Sequence, residues 1–266
     1  MDSRKIGVFD SGLGGLTVVR EMKRLLPKES LVYFGDTARL PYGSKSKEAI
    51  VRFSKQIMRF LMRHDVKAVI IACGTASANA LEELRATFDL PIFGVVEPGV
   101  REAARSTRSG RIGITGTEAT IRSGAYERLL KQINPALQVF SQACPLFVPL
   151  VEEGWFEDPV TRSVIHRYLQ ELKKQTVDTL VLGCTHYPLL RKLVQEEMGE
   201  EVTLVNPSSS AVQEVKAFLE CHAMQTEDRE GQYTFFASDN TEKFQAFGQQ
   251  VLEMPLTVQK IQIETF

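Results

Sequence analysis

Cys73 and Cys184 occupy near-matching settings in the 266-residue sequence. Each closes an apolar run rich in β-branched residues, Val69-Ile70-Ile71-Ala72-Cys73 in one case and Thr179-Leu180-Val181-Leu182-Gly183-Cys184 in the other. A threonine follows within two residues and a helical pattern begins, which is how a strand-to-helix turn reads. Such a turn aims a thiol outward at a sheet edge. A helix N-terminus beside each sulfur is expected to favour the thiolate and to offer free backbone N–H groups to an anionic ligand. Either cysteine alone reads more simply as a core thiol, but the shared context points to a pair, one acid and one base.

Asp10-Ser11-Gly12-Leu13-Gly14-Gly15 follows the first apolar run and opens a helical pattern, so its backbone can approach an anion closely. The third glycine of a dinucleotide fingerprint is displaced and no Gly-Lys-Ser/Thr is present, which favours a tight turn over a nucleotide phosphate site. The glycines do not explain Asp10, a carboxylate at a strand's C-terminal edge, where it can orient or deprotonate a neighbour. The loop Asp36-Thr37-Ala38-Arg39-Leu40-Pro41-Tyr42-Gly43 suits a solvated loop and a ligand-contacting one equally. His186, two residues beyond Cys184, is the histidine placed for catalysis, whereas His64, His166 and His222 lie in charged helical surroundings and are expected to face solvent. Cys144 and Cys221 open no helix and read as small buried hydrophobes without chemistry.

The elements that must position these groups alternate along the chain. Strand-like runs fall near 5–10, 31–35, 67–73, 91–96, 111–115, 137–142, 177–183, 202–205, 232–237 and 257–263. Helical periodicity covers 15–26, 47–63, 76–87, 98–106, 118–133, 160–174, 188–198, 208–220 and 241–253, with Asp239 and Glu242 spaced as a capping pair. This alternation predicts an α/β fold of mainly parallel sheet flanked by helices. Ile6-Gly7-Val8 and Ile112-Gly113-Ile114 open corresponding units, each leading to one of the two cysteines, so two similar lobes are expected to contribute one thiol apiece. Glu97-Pro98-Gly99 and Asn206-Pro207-Ser208 mark crossovers. The expected lobes are 1–97 with 207–266, and 98–206, with the active site in the cleft between them.

Composition narrows the function further. With 43% hydrophobic residues the chain can bury roughly 70–75% of its unfolded surface, enough for two modest lobes. Its 32 basic and 33 acidic residues leave a net charge of −1, without the basic excess that nucleic-acid binding needs. No apolar run reaches membrane-spanning length, and the N-terminus leads straight into a strand, so a cytoplasmic protein without membrane association is expected. The four cysteines show neither Cys-x-x-Cys nor zinc-type spacing, so no metal is expected.

Together these residues resemble the glutamate racemases of the aspartate/glutamate racemase superfamily. The resemblance runs nearly end to end. Its motifs are Val8-Phe9-Asp10-Ser11-Gly12-Leu13-Gly14-Gly15-Leu16-Thr17, Gly35 to Gly43, Ala72-Cys73-Gly74-Thr75-Ala76 and Gly94-Val95-Val96-Glu97-Pro98-Gly99. Thr120-Ile121-Arg122-Ser123, Cys144 to Glu152 and Leu182-Gly183-Cys184-Thr185-His186-Tyr187-Pro188 continue it. The resemblance implies a cofactor-independent two-base racemase that supplies D-glutamate for peptidoglycan, with Cys73 and Cys184 on opposite faces of the substrate's α-carbon. It further implies that Asp10 assists Cys73, and that Glu152 and His186 assist Cys184. Ser11, Tyr42, Gly43, Gly74, Thr75, Thr185 and His186 are implied substrate contacts along with Asp10, and Thr117 sits at the turn corresponding to Ser11. A homodimer is implied, and the start of the chain shortly before its first strand implies no activation through an N-terminal extension.

One position departs from the pattern: Gly74 stands where the family usually has asparagine. A lost hydrogen bond to a charged ligand group is worth about 1.5–3 kcal/mol unless replaced. Gly74 therefore keeps a racemase of aspartate or another acidic amino acid as the nearest alternative. The alternative of another class, a non-catalytic amino-acid-binding or regulatory protein, would keep the two-lobed cleft, and the intact cysteine pair argues against it. A pyridoxal phosphate enzyme is disfavoured because no lysine stands beside a convincing phosphate loop. Inversion itself needs a thiolate and a thiol flanking one carbon, with groups that stabilise the developing negative charge in a water-poor cleft.

Overall fold

The computed structural model of the chain describes residues 2–227 and 230–266. The first half runs β1 (Lys5–Asp10), α1 (Leu16–Leu25), β2 (Leu31–Gly35), α2 (Lys47–Met62), β3 (Val66–Ile71), α3 (Gly74–Thr87), β4 (Ile92–Gly94) and α4 (Val96–Ser106). Then come β5 (Arg111–Gly116), α5 (Glu118–Arg122), α6 (Ala125–Ile133), β6 (Gln138–Ala143), α7 (Phe147–Glu152), α8 (Pro159–Lys174), β7 (Thr179–Leu182), α9 (Arg191–Met198), β8 (Thr203–Val205) and α10 (Pro207–Cys221). The chain ends through β9 (Tyr233–Ala237), α11 (Thr241–Leu252) and β10 (Val258–Lys260).

The strands form two sheets, ordered β10-β9-β2-β1-β3-β4 and β6-β5-β7-β8, and every observed pairing is parallel. The expected α/β fold of two lobes with mainly parallel sheets is what the chain adopts. Continuous apolar runs make β1, β2, β3 and β7 strands buried on both faces, as parallel sheets covered by helices require. Phe9, Phe34, Val69 and Ile71 pack under α2 and α3 on one face of the larger sheet. Ile6, Val8, Tyr33 and Ile70 pack on the other, in a core that runs on into Phe147, Leu180 and Tyr187 of the second lobe.

The internal repeat is visible in the sheet order, since β2-β1-β3-β4 recurs as β6-β5-β7-β8. Gly7 pairs with Val69 and Gly113 with Leu180, so the two motifs occupy equivalent central strands. The ladder ends equivalently as well: the Ala72 N–H donates to the Phe9 carbonyl at 2.8 Å, and the Gly183 N–H to the Thr115 carbonyl at 2.9 Å. Cys73 and Cys184 each follow at the next residue.

Several local expectations need correction. The helix read over 118–133 is two helices, because Gly124 turns left-handed at φ +62° before α6. The strand read over 257–263 stops at Lys260 and the chain closes in a 3-10 turn, Ile263–Thr265. Pro98 lies within the first turn of α4 rather than in a crossover loop, where its missing N–H costs no helical hydrogen bond. Asn240, not Asp239, caps α11, accepting from the Lys243 N–H at 3.4 Å, while Asp239 pairs with Lys260 at 2.5 Å. α7, unseen in the periodicity because it is only six residues long, carries Glu152. His64 is half-buried, its ring 4.7 Å from that of Phe60 and 5.0 Å from that of Phe236. Cys221 is exposed at the end of α10, whereas Cys144 is buried. No helix among the described residues is long and apolar enough to cross a membrane.

Candidate active site

The loops at the C-terminal ends of β1, β3, β5 and β7 face one another across a cavity of about 380 Å³. Ser11, Tyr42, Gly43, Cys73, Gly74 and Thr75 line it from the first lobe; Thr117, Glu152, Cys184, Thr185 and His186 line it from the second. Of the expected catalytic and substrate-contact residues, Asp10 alone lies behind the lining, 1% exposed at the end of β1. Its Oδ1 accepts the Gly12 N–H at 2.8 Å and its Oδ2 accepts the Thr185 hydroxyl at 3.3 Å, across the lobes. Burial raises the Asp10 carboxyl pKa, against the nearby His186 charge and these hydrogen bonds.

Cys73 caps the N-terminus of α3, its Sγ accepting the Ala76 N–H at 3.4 Å while the thiol meets Ser11 Oγ at 3.4 Å. The expected activation of this thiol is not what the surroundings produce. Burial first, and then the Asp10 charge, push Cys73 up to about 12, beyond what the Ser11 and Ala76 hydrogen bonds offset. Asp10 therefore acts on Cys73 through its charge, and the hydroxyl in contact with the sulfur belongs to Ser11.

Cys184 has a different neighbourhood. Its turn leads into a 3-10 turn, Tyr187–Leu190, rather than an α-helix, so the expected helix terminus is missing beside this sulfur. A cation stands there instead: His186 Nδ1 is 3.7 Å from Cys184 Sγ and its Nε2 is 3.2 Å from Glu152 Oε1. Burial alone would lower the His186 pKa, but hydrogen bonds and attraction to Cys184 and Glu152 lift it to about 10. Burial would likewise raise the Glu152 carboxyl, yet His186, with Lys243 at 3.9 Å, holds it below the usual range.

The remaining polar groups divide by what is left free. Tyr42 is buried and its hydroxyl donates to Asp36 Oδ2 at 2.5 Å, beside the Arg39 guanidinium at 2.7 Å from the same oxygen, so backbone is what the Tyr42-Gly43 turn offers the cavity. The Thr75 and Thr117 hydroxyls meet across the lobes at 2.8 Å, and buried Thr120 touches both at 3.3 and 3.0 Å. Gly14 lets α1 approach the second lobe, because a Cβ there would meet Thr185 Oγ1 at 2.5 Å and run into the His186 ring. The sequence reading missed the cavity's apolar wall, Leu40, Pro145, Val148 and Pro149, and the buried Thr120. All five fall within motifs already marked, yet apolar residues in a short loop or a six-residue helix carry no periodic signal.

Residues 6–215 match the family profile described as Asp/Glu/Hydantoin racemase. The glutamate racemase of Geobacter metallireducens is 50% identical over 240 residues, covering 90% of this chain and 89% of that protein. Among solved structures, glutamate racemase isoform RacE1 from Bacillus anthracis superposes with a TM-score of 0.95 at 36% identity, over 98% of both chains. The glutamate racemase of Francisella tularensis, solved in complex with D-glutamate, superposes with a TM-score of 0.94 at 34% identity over the full length of both. With a profile match across most of its length and half its residues shared over nine-tenths of the chain, this protein belongs to the Asp/Glu/Hydantoin racemase family.

Proposed function

We propose that the chain interconverts L- and D-glutamate by a cofactor-independent two-base reaction, Cys73 and Cys184 being the two bases. The observation that carries this reading is the pair of thiols, delivered from equivalent strand ends of the two lobes onto one cavity. The glutamate racemases matched above, one of them holding D-glutamate, supply the substrate.

The reaction begins with one cysteine as thiolate and the other as thiol, taken here as Cys184 and Cys73 in that order, with His186 and Glu152 beside the first sulfur and Ser11 beside the second. Substrate with its α-hydrogen toward Cys184 loses that proton to the thiolate, and the C–H electron pair stays on the α-carbon. Cys73 then donates its proton to the opposite face, leaving a thiolate on Cys73 and a thiol on Cys184. The opposite enantiomer runs the same steps in reverse from the form in which Cys73 is the thiolate and Cys184 the thiol, and proton exchange of the two thiols with water interconverts the two forms. Gly74 and Thr75 open α3, and their N–H groups lack helical acceptors and are placed to bind a substrate carboxylate. Ser11 and Asp10 support Cys73; Glu152 and His186 support Cys184; Tyr42-Gly43, Thr117 and Thr185 complete the substrate site. Closure of the lobes over the substrate excludes water and strengthens each of these contacts.

The lobe boundaries, 1–97 with 207–266 against 98–206, belong to the same proposal and are supported by the strand membership of the two sheets. The peptidoglycan role, a cytoplasmic location and a homodimer rest on the family resemblance; equilibrium sedimentation tests the last. The decisive experiment follows L- and then D-glutamate in D₂O by circular dichroism and proton NMR. Inversion with deuterium entry is expected, and Cys73→Ala or Cys184→Ala should abolish inversion. Exchange with aspartate but not glutamate would overturn the substrate assignment, and no exchange with the thiols reduced would overturn the reaction.

A further inference from the structure

Three glycines of the first lobe face turns of the second. A Cβ on Gly14 would meet the side chains of Thr185 and His186, and one on Gly43 the side chain of Thr117 at 2.9 Å. Gly74 differs in kind: a Cβ there would lie 2.5 Å from the Gly183 carbonyl oxygen and 3.8 Å from Cys184 Cα. Side chains can turn away from a new methyl group. A backbone carbonyl at the end of a sheet ladder cannot, and the Gly183 N–H is fixed to Thr115 by a 2.9 Å hydrogen bond.

Gly74 also has no conformational need to be glycine. It is the first residue of α3 and its φ lies outside the left-handed region. At such a position alanine ordinarily stabilises a protein by reducing the freedom of the unfolded chain. The residue pays a local cost for a contact made across the cleft, with the residue that precedes the second thiol.

We propose that Gly74 is a positioning residue: by lacking a side chain it lets the Cys73 turn seat directly on the backbone of the Cys184 turn, and this contact sets the separation of the two thiols in the closed site. The inference rests on the two-thiol reading above. Any side chain at position 74 must move the turns apart from 2.5 Å to the 3.0 Å or more that real Cβ atoms keep, and the lobes carry the thiols with them. A Cβ at position 74, asparagine's included, therefore does not fit this spacing of the two turns, and Gly74 is more than a missing ligand contact.

The test compares wild type with Gly74→Ala and Gly74→Asn. Wild-type exchange of glutamate in D₂O is measured first, so that a failure of the racemase reading shows before any variant is judged. Both variants should keep or raise the melting temperature yet lower kcat, with the fall in kcat exceeding any rise in KM; misplacement of reacting groups by about 1 Å costs up to ~100-fold. Independently of turnover, iodoacetamide should alkylate Cys73 and Cys184 severalfold faster in both variants, read by mass spectrometry of the intact protein. Gly74→Ala with wild-type kcat and alkylation rates would overturn the inference. So would Gly74→Asn with raised kcat/KM, which would make glycine a lost contact, or a Gly74→Ala protein that fails to fold, which would make the glycine a requirement of its own lobe.

Discussion

Glu152→Gln isolates the charge that holds His186 protonated. Glu152 Oε1 lies 3.2 Å from His186 Nε2, and the two side chains are 15% and 6% exposed, so solvent screens the pair weakly. Hydrogen bonds to charged groups are worth about 1.5–3 kcal/mol and neutral ones about half that, so glutamine, which keeps shape and polarity, should cost about 1 kcal/mol. At roughly 1.4 kcal/mol per pKa unit, His186 should fall from about 10 by slightly under one unit, because Cys184 remains beside Nδ1. The folded-state pKa of His186 is raised above its ordinary 6.5. The stability this contributes is therefore complete below pH 6.5 and disappears as pH rises through 10. Urea melts at pH 6 and pH 10 should show the variant weaker at the first and closer to wild type at the second. Below the usual carboxylate range the difference should shrink again, since the depressed Glu152 carboxyl then takes up its proton. The alkaline limb of the kcat/KM profile should move to lower pH by the same amount, checked by NMR titration of the imidazole. An imidazole titration unchanged in the variant would refute the reasoning, because it would mean that Glu152 does not set the charge of His186.

Two further predictions concern the scaffold. Lys67 Nζ is buried 2.7 Å from Glu29 Oε2 and donates to the Asp2 and Met224 carbonyls at 2.7 Å each, so Lys67→Met should cost about 3–5 kcal/mol in urea unfolding. Much of that loss should return in Lys67→Met/Glu29→Leu, where no charge is stranded; a double variant as weak as the single would count against it. Tyr187→Phe removes the buried hydrogen bond from its hydroxyl to the Cys144 carbonyl at 2.8 Å and should lower stability by about 1–3 kcal/mol, read as a lower melting temperature.

Much of this protein is determined by local sequence. Apolar runs at the right spacing specify buried parallel strands, and the two Ile-Gly-Val/Ile motifs with their cysteines specify a duplicated unit, because burial on both faces and the strand-to-helix turn are encoded within a few residues of each other. Asp10, Cys73 and Cys184 were legible for the same reason, lying at strand ends where a sheet edge presents them, whereas Glu152 and Thr117 entered only through the family resemblance. Electrostatics was not legible. A helix terminus beside Cys73 is written in the sequence, but the burial and Asp10 charge that overwhelm it come from residues 63 positions apart meeting in space. The cation beside Cys184 depends on Glu152 arriving on a six-residue helix that carries no periodic signal. Gly74 makes the same point in steric terms: in the sequence it is an absence, whereas in the fold the carbonyl of Gly183, 109 residues away, stands where a side chain would begin. Charge and contact at a site between two lobes depend on distances that only the tertiary structure sets.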